Sequence, residues 1–317
     1  MSQVPTAPSA GRLRLSAADV RERLSGAEIV VPASVANLGP GFDTLALALQ
    51  LYLHVRVVDV ADHEKNGLTF DFGEATLEGD NLIERAFLTM AREQQIEFPS
   101  LALRVRTEIP ARGGLGSSAA AVVAGLRLFE EAANHRTSDL LTIATRLDHH
   151  ADNVSASLFG GLTLSCVADD GAVTSRIIEW PREVRCVVAT PAMAVATSDS
   201  RKVLPDQYSR ADAVFNLQRT VLLVHALEHG DFSVVREALR DRWHQPYRMA
   251  LVPGLREALG LEHPHLLGVC LSGSGPAVVA FATGAFTQIE QQLADIYNRL
   301  NLPCAVRTLA AHQPGVA

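Results

Sequence analysis

The chain has 317 residues, too many for a small disulfide-stapled scaffold and enough for one large or two medium domains. It is 48% hydrophobic and 20% charged, with 28 basic and 35 acidic residues and a formal charge of −7. These values exclude a disordered chain and argue against a general nucleic-acid or anionic-membrane binder, which needs a basic face.

Lysine occurs only at Lys65 and Lys202, so 26 of the 28 basic residues are arginine. Genomic base composition accounts for such a bias in general. Bidentate grip on carboxylate or phosphate is the functional alternative. Cys166, Cys186, Cys270 and Cys304 show neither Cys-x-x-Cys pairing nor zinc spacing. This pattern predicts a reducing, cytoplasmic setting without disulfides or a structural metal.

In chain order, Met1 to Ser9 is Pro/Ser/Ala-rich without the apolar core of a signal peptide. Residues 1–26 read as an N-terminal tail with a short helical piece, Ala17 to Leu24, and order is expected to begin at Glu28. A strand at Glu28 to Val31 leads into a loop of small residues, Ala33 to Thr44. Strands are expected at Leu45 to Val60, Leu68 to Phe72 and Leu101 to Thr107, the last alternating apolar and charged. Apolar residues at helical spacing predict a helix over Asn81 to Gln94. A Gly-rich turn, Ile109 to Ser118, runs into a helix over Ala119 to Asn134, and a second helix covers Ser138 to His149. A loop at Ala151 to Ser157 precedes a strand at Gly161 to Val167. Beyond Asp169-Asp170-Gly171 come a strand (Val184 to Ala189), helices (Asp212 to Glu228, Phe232 to Asp241), strands (Leu267 to Leu271, Ala277 to Ala282), a helix (Ala285 to Leu300) and a strand (Ala305 to Leu309). The uncharged run Leu266 to Ile289 is broken by Ser272-Gly273-Ser274-Gly275-Pro276, so it reads as two buried strands and not a membrane span. The irregular mixture of strands and helices is an α+β pattern with two lobes. The division expected is 27–175 and 176–317.

The strongest local signal is Pro110-Ala111-Arg112-Gly113-Gly114-Leu115-Gly116-Ser117-Ser118-Ala119-Ala120, placed after a strand and opening a helix. Glycines let backbone N–H groups turn inward, and the helix N-terminus adds the positive end of its dipole, which together suit phosphate. The segment lacks both the Walker Gly-Lys-Ser/Thr and the Rossmann Gly-x-Gly-x-x-Gly. Two further segments are unusual. Val31 to Asp43 is rich in turn formers yet carries Asn37 and Asp43, and Leu271 to Pro276 is a second Gly/Ser loop.

In this order the three segments resemble the galactose/homoserine/mevalonate/phosphomevalonate kinase superfamily over nearly the whole chain after the tail. Asn37-Leu38-Gly39-Pro40-Gly41-Phe42-Asp43 is most similar to its homoserine kinases. So are His150-Ala151-Asp152-Asn153-Val154, the Thr197, Arg201, Leu204-Pro205 segment, and the Pro246-Tyr247-Arg248, Val252-Pro253-Gly254 segment.

The resemblance implies a two-lobed small-molecule kinase fold, with an N-terminal lobe like ribosomal protein S5 domain 2 and a ferredoxin-like C-terminal lobe. It implies ATP- and Mg²⁺-dependent phosphorylation of the side-chain hydroxyl of L-homoserine in threonine biosynthesis, by a homodimer. Asn37 and Asp43 would hold the amino acid, with Asp43 on its ammonium. Arg201 and Arg248 would clamp its carboxylate. His150, Asn153 and Thr197 would border the reacting hydroxyl, and Pro110 to Ala120 would wrap the ATP phosphates. Asn81 would touch the base, and Ser118 and Asp148 are the metal-ligand candidates. The chemistry stands independently for the zwitterion, whose ammonium needs a carboxylate and whose carboxylate needs arginines.

There are departures from the family. Where some relatives carry a metal-binding glutamate, this chain has Thr142, and Arg112 is shifted by one place. Asn153 stands where mevalonate-type relatives have an aspartate, and it cannot act as a general base. The alternatives are a superfamily kinase for another small hydroxylated acid or alcohol, and a catalytically inactive relative that senses a ligand.

Overall fold

The computed structural model describes residues 12–62, 67–73 and 80–315. Residues 1–11 of the expected tail, and Lys65, lie outside the described residues.

The first lobe runs β1 (Leu13–Arg14), α1 (Ala17–Leu24), β2 (Glu28–Ala36), β3 (Leu45–Ala61), β4 (Leu68–Asp71), α2 (Leu82–Glu93), β5 (Ile96–Glu97), β6 (Ser100–Thr107), α3 (Ser117–Ala133), α4 (Leu140–Asp148), α5 (Ala151–Phe159), β7 (Leu162–Val167) and β8 (Val173–Ile178). Its spine is β3, whose apolar and polar residues alternate toward its end. β2 pairs antiparallel along Ala46 to Arg56, β6 along Leu53 to Ala61, and β7 along Leu45 to Leu47. β4 and β8 close the two edges of the sheet.

The second lobe runs β9 (Arg185–Pro191), α6 (Thr197–Lys202), α7 (Arg210–His229), a 3₁₀ turn leading into α8 (Val235–Ala238), α9 (Gln245–Arg248), α10 (Leu255–Leu259), β10 (Leu266–Leu271), β11 (Val278–Ala282), α11 (Phe286–Arg299) and β12 (Cys304–Leu309). The four strands form an antiparallel sheet in the order β10-β11-β9-β12, the ferredoxin-like arrangement. One apolar core joins the lobes. Leu223 and Leu227 of α7, Leu239, and Val188, Cys270 and Phe281 of the second sheet belong to the same buried cluster as the first sheet and α3. A second cluster packs α10 and α11 on the other face of the second sheet. After β12 the chain returns to β3, where His312 N–H donates to the Ala48 carbonyl at 2.9 Å.

Five expectations change. The strand expected over Glu28 to Val31 runs on to Ala36, because Ala33 to Ala36 pair with β3, so the loop of small residues begins later. Order begins before Glu28, because Ala17, Val20 and Leu24 lock α1 into the core and β1 pairs with β5. Ala151 to Ser157 is helix and not loop. Its small residues are buried on all sides, so the sequence carries no helical contrast there. The strand β8 crosses the expected division at 175/176 and belongs to the first sheet. The helix expected over Phe232 to Asp241 ends at Ala238, and the chain then turns about the Asp241 carboxylate, which accepts N–H bonds from Trp243, His244 and Gln245.

Docking of α1 has a measurable consequence. Leu24→Ala removes a fully buried side chain and is expected to cost about 2–5 kcal/mol in urea unfolding. An unchanged midpoint would show that α1 is not part of the core.

Candidate active site

The motif segments converge on one cavity of about 420 Å³ between the lobes. The Gly-rich segment forms one wall. Arg112, Gly114, Gly116, Ser117 and Ser118 line it, while Ala119 and Ala120 are buried inside α3. Gly116 is the N-cap of α3 with φ +70°, and no side chain caps the helix. A Cβ there would lie 2.0 Å from Ser34 Oγ, so only glycine fits both the backbone and the space. The first-turn N–H groups of a 17-residue helix therefore open toward the cavity, with no acidic residue in that turn. The N-terminus of α5 also meets the cavity, through His150, Asp152 and Asn153, and again no side chain caps it.

The second Gly/Ser loop locks this wall from behind. Ser272 Oγ donates to the Gly114 carbonyl at 2.6 Å, and Ala277 N–H donates to the Gly113 carbonyl at 3.1 Å. Gly273 N–H donates to the Ala36 carbonyl. The Gly273 carbonyl accepts from Asn37 Nδ2 at 3.1 Å and from Arg248 Nη1 at 2.9 Å. Asn37 Oδ1 in turn accepts the Asp43 N–H at 3.0 Å. Asn37 lines the cavity, but both ends of its carboxamide hold the 37–43 loop in shape, and Asn37, Leu38, Gly39 and Asp43 all have positive φ.

The charged residues are paired across the lobes. Arg201 Nη2 lies 2.9 and 3.0 Å from the two Asp43 carboxylate oxygens, with both side chains partly exposed to the cavity. Arg248 is buried. Its Nε donates to the Ser200 carbonyl and its Nη1 to Gly273, and burial lowers its pKa to about 10, so it stays cationic at neutral pH. Phe42 lies under both guanidinium groups, 5.7 Å from Arg201 and 5.4 Å from Arg248. Thr197 completes this side at the start of α6.

Asn153 Oδ1 accepts from Ser34 Oγ at 2.8 Å, which fixes the carboxamide beside Gly116. Asp152 is buried next to it and accepts the Asn153 N–H at 2.8 Å. Burial, and then the Asp43 charge, pushes the Asp152 pKa up to about 6. His150 Nδ1 lies 3.3 Å from Asp148 Oδ2, and that contact raises the imidazole pKa above its ordinary value.

Other expected residues lie elsewhere. Pro110, Ala111, Gly113 and Leu115 line a separate apolar pocket of about 280 Å³ on the far side of the loop, with Val188, Thr190 and Met193. Asn81 caps α2 by accepting the Glu84 N–H at 3.3 Å and is not part of the cavity lining. Asp148 is buried on His150 and does not line the cavity, and Thr142 accepts the Val173 N–H. Among the described residues no group of three or more His, Cys, Asp or Glu side chains forms a metal cage. The carboxylates on the cavity wall are Asp43, which is held by Arg201, and Asp152, and the hydroxyls nearest the start of α3 are Ser117 and Ser118. That sparse set suits Mg²⁺, which is held by one or two carboxylates plus substrate phosphates. In the sequence Asp152 stands inside a motif segment without a role of its own, and nothing singles out Ser34, Asp241 or His244. Ser34 sits in a strand, and the other two lie in a segment with no motif glycine.

The chain matches the GHMP kinase N-terminal domain over residues 81–161 and the GHMP kinase C-terminal domain over residues 223–301. The fold and the site define a GHMP kinase. A homoserine kinase of Solibacter usitatus is 41% identical, covering 86% of this chain and 90% of its own. One from Schizosaccharomyces pombe is 34% identical, covering 89% and 96%. The chain belongs to the homoserine kinase family. The crystal structure of homoserine kinase from Cytophaga hutchinsonii superposes with a TM-score of 0.78 at 27% identity, covering 91% of this chain and 95% of that one. A mevalonate kinase from L. major, at 15% identity and a TM-score of 0.64, shares the fold.

Asp152 carries a signed pH prediction. Its folded pKa of about 6 stands above its ordinary 3.8, so its contribution to stability is fully present below 3.8 and is lost as pH rises through 6. Asp152→Asn is therefore expected to stabilise the protein at pH 8 by about 3 kcal/mol, with the gain vanishing toward pH 4 in parallel urea titrations. Equal midpoints at pH 8 would contradict a buried, destabilising charge.

Proposed function

We propose that the chain transfers the γ-phosphoryl group of ATP to the side-chain hydroxyl of L-homoserine, forming O-phospho-L-homoserine for threonine biosynthesis in a reducing cytoplasm. The observation that carries this reading is the Asp43–Arg201 ion pair on the cavity wall, beside Arg248. A zwitterion can replace that pair without a change of net charge. Its ammonium takes Asp43 and its carboxylate takes Arg201 and Arg248. An uncharged sugar offers neither group, and a simple hydroxy acid offers only one. Each such charge-assisted bond contributes about 1.5–3 kcal/mol.

The uncapped start of α3, with Ser117 and Ser118, receives the phosphates through backbone N–H groups and hydroxyls. Mg²⁺, when bound, neutralises phosphate charge, and Ser118 and Asp152 would hold it. Asn153, fixed by Ser34, orients the substrate hydroxyl, with His150 and Thr197 at its border. Asn153 has no basic lone pair, so positioning and charge neutralisation carry the reaction, and the hydroxyl proton passes to the transferred phosphoryl group.

A homodimer belongs to this reading. Val214, Leu217 and Val221 form an exposed apolar stripe on α7. Arg210 and Glu228 sit at its two ends, where opposite charges would meet across an antiparallel two-fold.

The test is ATP consumption in the presence of Mg²⁺ with L-homoserine, against L-serine, L-threonine and mevalonate. Homoserine should be the preferred acceptor, and no turnover with it overturns the reading. Arg248→Ala should raise KM for homoserine about tenfold or more while KM for ATP stays within about twofold. Equal losses would contradict the clamp.

A further inference from the structure

We infer that His244 is a positioning residue for the carboxylate clamp, a neutral imidazole that ties the Gly39 carbonyl of the substrate loop to the Arg248 guanidinium. The inference rests on the proposed reading of Arg248 as a carboxylate ligand.

The proton inventory follows from its two neighbours. His244 is fully buried, and its Nε2 lies 2.8 Å from the Gly39 carbonyl oxygen. A carbonyl only accepts, so Nε2 carries the proton. Nδ1 lies 3.2 Å from Arg248 Nη1, and a guanidinium only donates, so Nδ1 is the acceptor. One proton on the ring satisfies both contacts, whereas a second would set N–H against N–H.

The charged groups around the ring agree with that state. Asp241 Oδ2 is 3.5 Å from Nε2, but it already accepts the His244 and Gln245 backbone N–H groups at 3.0 and 2.7 Å. Its Oδ1 accepts from Trp243 N–H and Asn216 Nδ2, both at 2.8 Å. Burial and the Arg248 charge lower the imidazole pKa against the pull of Asp241, the Gly39 bond and Asp43. The Phe42 ring stacks on the imidazole with its centroid 5.3 Å away.

The consequence reaches the cavity through Arg248. Ser200 holds its Nε at 3.3 Å, and Gly273 and His244 hold Nη1. Among the described residues Nη2 has no hydrogen-bond partner, and Arg248 lines the cavity. His244 thus supplies one of three acceptors that aim the guanidinium. The same ring holds Gly39, four residues before Asp43, so it helps fix the spacing between the ammonium and carboxylate ends of the site.

The experiment is a double-mutant cycle with a rescue variant. His244→Ala should raise KM for homoserine about tenfold or more, with KM for ATP within about twofold. His244→Asn places a carboxamide oxygen near the Nδ1 position and should recover most of that loss. In an Arg248→Ala background, His244→Ala should add almost nothing. A full additional loss there, or equal rises in both KM values, overturns the inference. If Arg248→Ala itself leaves KM for homoserine unchanged, the clamp reading fails instead, and the two failures are told apart. Should the alanine variant not fold, ¹⁵N-imidazole spectra of the intact protein decide. A neutral ring protonated at Nε2 at pH 7 is expected, and a doubly protonated or Nδ1-protonated ring overturns the inference.

Discussion

The site hangs on the carbonyl of Gly273. It accepts from Asn37 Nδ2 and from Arg248 Nη1, and its own residue's N–H bonds the Ala36 carbonyl. One short loop therefore joins the 37–43 loop of the first lobe to the buried arginine of the second. The same loop grips the Gly-rich wall through Ser272 and Ala277. Each of these bonds lies in a part-buried or buried setting, where an unmade bond costs more than a made one gains. The apolar core shared by the two sheets supplies the rigidity that makes such bonds reproducible.

The electrostatics follow from this frame. A chain of net charge −7 with two lysines handles a polyanion without a lysine on the cavity wall. Lys202 pairs with Asp199 at the surface. On the proposed reading the uncapped helix start at Gly116 supplies oriented N–H groups and a dipole instead. The arginine excess is mostly a surface matter, but Arg201 and Arg248 have defined places. Arg201 and Asp43 partner each other across the lobes, and on the proposed reading a zwitterion exchanges for that pair with each charge still partnered.

Much of this was legible in the sequence. The long alternating run of β3, the Gly-rich turn into α3 and the broken apolar run at Ser272 to Pro276 each carry their structural meaning locally. The six motif segments do meet at one cavity. What could not be read follows from long-range packing. The helix α5 is buried on all sides and shows no periodic contrast. Asn37 looked like a substrate ligand, but the partners that engage both ends of its amide include Gly273, more than 200 positions away. Asn81 and Asp148 are cases of the ordinary alternative, a helix cap and a buried partner for histidine. His244 gave no signal, because its role exists only once Gly39 and Arg248 stand on either side of it.

Calorimetric binding of L-homoserine and of its deaminated and decarboxylated analogues tests the ion-pair exchange most directly. Homoserine should bind, and each analogue, leaving Asp43 or the arginines without a counter-charge, should bind at least about tenfold more weakly. An analogue that binds as tightly as homoserine would contradict the exchange of a zwitterion for the Asp43–Arg201 pair.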